Sequence, residues 1–199
     1  MRETQAKPRL MVLASALSVA LVFAALAVFA AEARASEASF AHLPPKAILM
    51  KDSQVLQVRG ASGGSWFYYQ DGGWSGGAGD NFGGYLFPKA DEVGAGTRLH
   101  VRLAKPERPS IIDTNAYPRV RNGEEFLPGK VPAGQKRQLE NTLKCVEQDG
   151  KTVAWDVFFR VNEPGRHYYL VVHAAWKRVP GTHVSYGDSD YAFHVKTRE

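Results

Sequence analysis

Three runs of alternating apolar residues near the C-terminus constrain the fold most. Thr152–Arg160 places Val153, Trp155, Val157 and Phe159 on one face. His167–Lys177 does the same with Tyr168, Leu170, Val172, Ala174 and Trp176, and Asp190–Thr197 with Tyr191, Phe193 and Val195. Successive side chains of an extended chain point to opposite sides, so a period of two with this β-branched and aromatic content marks strands with one buried face. Gln148-Asp149-Gly150 is a tight-turn signal that joins the first run to a preceding strand as a hairpin.

Upstream, the same pattern gives short strands at Ala47–Met50, Gln54–Arg59, Trp66–Gln70, Thr97–Ala104 and Ser110–Val120. In Thr97–Ala104, Leu99, Val101 and Leu103 face inward and Arg98, His100 and Arg102 outward; Ile112 faces inward in the next strand. Gln135–Glu147 fits a helical stripe through Leu139, Leu143 and Val146, or a strand from about Asn141, and the turn that follows favours the strand. Nineteen glycines and eleven prolines suit a turn-rich β protein. The expectation is an all-β chain with one antiparallel β-sandwich of seven to nine strands over residues 47–199, preceded by an N-terminal hydrophobic helix.

Asn162-Glu163-Pro164-Gly165-Arg166-His167-Tyr168-Tyr169-Leu170 adds a family pattern. An acidic-Pro-Gly turn, a tyrosine opening the penultimate strand and a final hairpin resemble the last three strands of fibronectin type III and immunoglobulin-like domains. The resemblance covers residues 150–198 and extends to such domains in exported bacterial proteins. It implies an immunoglobulin-like sandwich, with Tyr168 or Tyr169 as the corner tyrosine bonded to the backbone of the preceding turn. The Cys…Trp…Cys frame of antibody-type domains is missing, since Cys145 is the single cysteine. The resemblance implies no activity, because this sandwich hosts many unrelated functions.

Arg2, Lys7 and Arg9 precede an uncharged 22-residue stretch, Leu10–Ala31. A basic start orients the N-terminus toward the cytoplasm, and the stretch is long enough to span a bilayer. Its alanine content and Ala33-Arg34-Ala35 also fit a signal peptide cleaved after Ala35. Residues 1–35 therefore read as a signal peptide or single-pass membrane anchor, 36–46 as a linker carrying Pro44-Pro45, and 47–199 as the sandwich. Either reading places the body outside the cytoplasmic membrane, secreted or tethered to its outer face.

Net charge is +5, and +3 without residues 1–35, which carry Arg2, Lys7, Arg9, Arg34, Glu3 and Glu32. Basic and acidic residues alternate with no dense Lys/Arg block, which argues against nucleic acid as a partner. Cys145 can form neither an intramolecular disulfide nor a multi-cysteine metal site, and reads as a small buried hydrophobe.

Catalytic patterns find no supporting context. Gly60-Ala61-Ser62-Gly63-Gly64 and Gly73-Trp74-Ser75-Gly76-Gly77 both match G-x-S-x-G, but a nucleophile elbow needs a strand before the serine and a helix after it. Asp91-Glu92, Glu124-Glu125, and Asp188 with Asp190 are carboxylate pairs in turns. His100, His167, His173 and His194 fall opposite the apolar faces of their strands and so point outward. His167, His173 and His194, with Asp190 or Asp156, are the candidates for a metal if their strands are neighbours, although no spacing matches a known ligand pattern.

Gly60–Gly84 stands out, with ten glycines around Trp66, Phe67, Tyr68, Tyr69, Trp74 and Phe82, and Tyr85 just beyond. Asp71–Gly84 reads as a glycine-rich loop, and Trp74, Phe82 and Tyr85 as its ligand-binding residues. Aromatic rings on such a loop offer large amphipathic contact area at low entropic cost. The bland alternative assigns Trp66 and Tyr68 to a strand covering the sandwich. The functional expectation is a non-enzymatic binding or accessory module of the cell envelope, with an unknown protein or a glycan as partner and no cofactor. The alternatives are a carbohydrate- or cell-wall-binding domain and a hydrolytic or metal-dependent enzyme using the histidine-bearing face.

Overall fold

The computed structural model describes residues 43–79, 85–117 and 137–199. Leu10–Ala31, Phe82 and residues 118–136 lie outside these. Among the described residues no helix is long and apolar enough to cross a membrane. The described residues form twelve strands in order: β1 (Ala47–Lys51), β2 (Gln54–Arg59), β3 (Gly64–Gln70), β4 (Gly73–Gly79), β5 (Asp91–Val93) and β6 (Thr97–Leu103). Then come β7 (Ile111–Tyr117), β8 (Arg137–Gln138), β9 (Thr142–Gln148), β10 (Lys151–Val161), β11 (His167–Trp176) and β12 (Tyr186–Thr197). The count exceeds the expected seven to nine because β5 and β8 are only three and two residues long and β4 arises where a loop was expected.

Two sheets form a β-sandwich. The five-stranded sheet runs β2-β1-β6-β10-β9, and the seven-stranded sheet runs β4-β3-β12-β11-β7-β8, with β5 as its seventh strand beside β12. Every pairing is antiparallel except that of β5, which lies parallel to β12 at Val195–Thr197. Alternation predicts the inner faces well. Leu99, Val101, Leu103, Val157 and Phe159 meet Leu170, Val172, Ala174, Tyr191, Phe193 and Val195 in one buried core. Each large apolar side chain so removed from water contributes about 1.5–3 kcal/mol. Trp66 and Trp176 meet edge-to-face in this core, with centroids 5.7 Å apart.

The β10–β11 corner is fixed by a polar contact. The backbone N–H of Glu163 donates to the Tyr168 hydroxyl at 2.8 Å, so the tyrosine ring fills the core while its oxygen secures the turn. At the opposite end of these strands the indole N–H of Trp155 donates to Pro106 O, and that of Trp176 to Glu107 O. Together they hold the chain segment between β6 and β7.

Two local readings are corrected, and a third residue points as expected but is covered. Val153, expected inward, falls at a register shift between Thr152 and Ala154 and is 40% exposed. The extra residue of a bulge leaves the alternation. Cys145 is exposed rather than buried, because β9 is the uncovered edge of the five-stranded sheet. His100 points to the outer face of β6 yet is only 6% exposed, covered by its cross-strand partners Met50 and Phe158, the Phe158 ring lying 4.9 Å away. Burial lowers its pKa, against the opposing pull of Asp156.

Candidate functional site

The glycine-rich segment is largely a hairpin. Asp71 and Gly72 both take positive φ, 51° and 81°, as a two-residue turn between right-twisted strands requires. β4 then pairs with β3 along its whole length, setting Trp74 opposite Tyr69 and Gly76 opposite Phe67. This overturns the loop reading for Gly73–Gly79. Trp66 and Tyr68 turn into the core, so Phe67, Tyr69 and Trp74 rise from the outer face. Gly76 makes room there, since a Cβ on it would sit 2.7 Å from Phe67 Cδ1 and 2.3 Å from Trp66 O.

These rings meet others from the β11–β12 connection. Trp74 packs edge-on against Tyr69 at 5.6 Å and against Tyr186 at 5.0 Å. Tyr186 stacks on Phe67 at 5.2 Å, and His183 lies flat on Tyr69 at 3.7 Å with ring planes 1° apart. The Arg178 guanidinium stands 4.8 Å from the Trp74 ring centre. Phe67, Tyr69, Trp74 and Tyr186 are half-buried and His183 is exposed, leaving edges and faces to solvent. The result is a continuous aromatic surface with one cation at its rim.

Farther along the same face lies a polar group. His173 Nδ1 donates to Asp190 Oδ1 at 2.8 Å, and the Tyr85 hydroxyl donates to Asp190 Oδ2 at 2.6 Å. The bond to Asp190 raises the His173 pKa, with burial acting the other way. Asp188 accepts the Ser65 N–H, which ties β12 to the root of β3. At the far end His194 Nδ1 faces Pro88 O at 3.0 Å and must donate to it, so in the neutral pair His194 Nε2 accepts from His167 Nδ1 at 2.9 Å. Tyr169 stacks on His194 at 4.2 Å, and burial lowers the His194 pKa.

Of the residues singled out by sequence, Trp74 sits at the centre of the aromatic surface. Tyr85 does not share it: it is 4% exposed and packs with Phe87, Tyr169, Val171 and Ala192. Phe82 lies outside the described residues. His167, His173 and His194 share one outer face but divide into two pairs, His173 with Asp190 and His167 with His194. Among the described residues no three potential ligands converge as a metal would require. Tyr186, His183 and Arg178 join the surface without having been anticipated; Tyr69, in the aromatic segment but not among its expected ligand-binding residues, is located by the Asp71-Gly72 turn, which sets it opposite Trp74. Compared with known proteins, the chain matches no family model, no curated protein and no solved structure.

Proposed function

We propose that the chain is an exported, non-enzymatic binding module that recognises a glycan through the outer face of its seven-stranded sheet, around Trp74. One observation carries this reading: Phe67, Tyr69, Trp74 and Tyr186 form a single half-exposed group of mutually contacting rings. Flat rings stack on the apolar faces of sugars, and the neighbouring Asp188 and Asp190 supply carboxylate oxygens as acceptors for hydroxyl groups. Export, with the body secreted or tethered, is supported by the basic start and the uncharged stretch Leu10–Ala31, the pattern of a signal peptide or membrane anchor.

The immunoglobulin-type reading belongs to the same proposal. It is supported by the placing of β12, β11, β7 and β8 in one sheet and of β1, β6, β10 and β9 in the other. The Tyr168–Glu163 bond at the corner supports it as well.

Retention of the full-length protein on a glycan array and on isolated peptidoglycan tests the function. Trp74→Ala and Tyr69→Ala should each weaken retention by about tenfold or more, as expected when a central aromatic anchor is truncated. Failure to bind any glycan, or binding indifferent to both substitutions, would overturn it. Capture of an envelope protein in a Trp74-dependent way would replace the glycan with a protein partner. A second reading, an enzyme using the histidine-bearing face, draws on the His173–Asp190 pair. In its metal-dependent form it requires metal in the purified protein, which elemental analysis measures.

A further inference from the structure

The outer face of the five-stranded sheet carries an arrangement that folding alone does not favour. On β6 and β10, Arg102 is directly opposite Asp156, and the pair is closed by two hydrogen bonds of 2.9 Å. Two pairs further along the same ladder and on the same face, Arg98 is directly opposite Arg160. Like charges in direct cross-strand register are destabilising. Among the described residues no carboxylate forms an ion pair with Arg98, Arg160 or Lys144 on the adjoining strand β9.

Their setting keeps these cations together. The Arg98 guanidinium lies 4.2 Å from the centre of the Phe158 ring, and Lys144 Nζ lies 5.7 Å from the same centre. Arg160 Nη1 donates to Gly96 O at 3.0 Å, which fixes one edge of its fork and, among the described residues, leaves its other donors uncommitted. Arg98, Arg160 and Phe158 line a cavity of about 840 Å³ together with Arg137, Asn162 and Thr142. Arg137 is matched by Glu163, and Glu140 is the one carboxylate among the described lining residues. A cavity of this size holds a small ligand or the charged end of a larger one.

We infer that Arg98 and Arg160 clamp a multiply charged oxyanion, a phosphate or a polycarboxylate, with Lys144 adding a third positive charge beside Phe158. Planar guanidinium forks from two strands meet oxyanion oxygens in charge-assisted pairs, and the bound anion relieves the repulsion across the ladder. The site lies on the opposite sheet from the aromatic surface and is independent of it.

Thermal shift and titration calorimetry on the full-length protein test the inference, with inorganic phosphate and citrate compared against sodium chloride at equal ionic strength. The expected result is a rise in Tm specific to one or both oxyanions and one saturable site. Arg98→Gln and Arg160→Gln should each weaken that binding by about tenfold or more, while leaving Tm without the anion equal or slightly higher. Arg198→Gln, at a surface arginine paired with Glu92, should leave the shift in place. A response to phosphate alone or to citrate alone names the anion. A shift no larger than that of sodium chloride, or one that survives both Arg98→Gln and Arg160→Gln, overturns the inference, as does a fall in Tm of the anion-free variants.

Discussion

The side-chain amide of Gln57 pairs with the backbone of His194 as a neighbouring strand would. Gln57 Oε1 accepts the His194 N–H at 3.1 Å, and Gln57 Nε2 donates to the His194 carbonyl at 2.6 Å. β12 needs this at His194, because on that side it meets β3 only at Tyr186 and Gly187, Gly63 at Asp190, and β5 from Val195 onward. Gln57 belongs to β2 of the other sheet and also donates to Asp91 Oδ2, so one amide fastens three segments.

Replacing Gln57 by leucine keeps the volume and removes these bonds. The His194 N–H and carbonyl then lose their partner beneath a largely buried side chain. Gln57→Leu should cost about 2 kcal/mol, read as a lower urea midpoint with an unchanged denaturant slope. An unshifted midpoint would show that water reaches His194 freely.

Gly187 faces Trp66 in the β3–β12 ladder with φ at 142°, and a Cβ on it would lie 2.0 Å from Ser65 O. Gly187→Ala should therefore lower stability by about 3 kcal/mol. Gly73→Ala is the control: nothing lies within 4 Å of its added Cβ and its φ is not positive, so it should stay within about 0.5 kcal/mol of the parent. Equal midpoints for the two variants would refute the steric account of this ladder.

The histidines on the sheets give pH dependences of opposite sign. His173 has a raised pKa, chiefly from its bond to Asp190. Its contribution is complete below the unfolded value of about 6.5 and is lost as pH rises through the folded value. His100 and His194 have pKa values lowered chiefly by burial, so their contribution holds above about pH 6.5 and is lost as pH falls through their folded values. The Tm difference between the parent and His173→Gln should thus be largest in mild acid and shrink as pH rises. A gap that widens toward alkaline pH would contradict the His173–Asp190 pairing.

Sequence alone reaches the sandwich because its inner faces alternate over most of their length. Leu99, Val101 and Leu103, or Tyr191, Phe193 and Val195, can be placed by period two, and burial follows. Alternation fails at Val153, where a bulge adds one residue, and it cannot tell that β9 is an edge, which is why Cys145 is exposed. The candidate site is harder to read for another reason. Four of the seven residues of β4 are glycine, so no alternation is visible there, although Asp71-Gly72 carries the same turn signal as Asp149-Gly150. Tyr186, His183 and Arg178 come from about 110 residues downstream, and only the β3–β12 pairing brings them beside Trp74.

Among the described residues β4 is the outermost strand of its sheet and pairs with β3 alone, while Trp74 links it by side chain to Tyr186 of β12. Trp66 roots β3 in the core, but β4 has no such root. The ring surface is assembled in the closed member, with β4 along β3, and would be taken apart in any open member in which β4 peeled away. Edge segments with few buried contacts open at a fraction of the global unfolding free energy. A ligand that touches Trp74 and Tyr186 at once binds only the closed member, and its measured affinity is its intrinsic affinity scaled by the closed population. Substitutions in β4 that touch no ligand but loosen its pairing with β3 would then tune recognition by changing how often the surface exists.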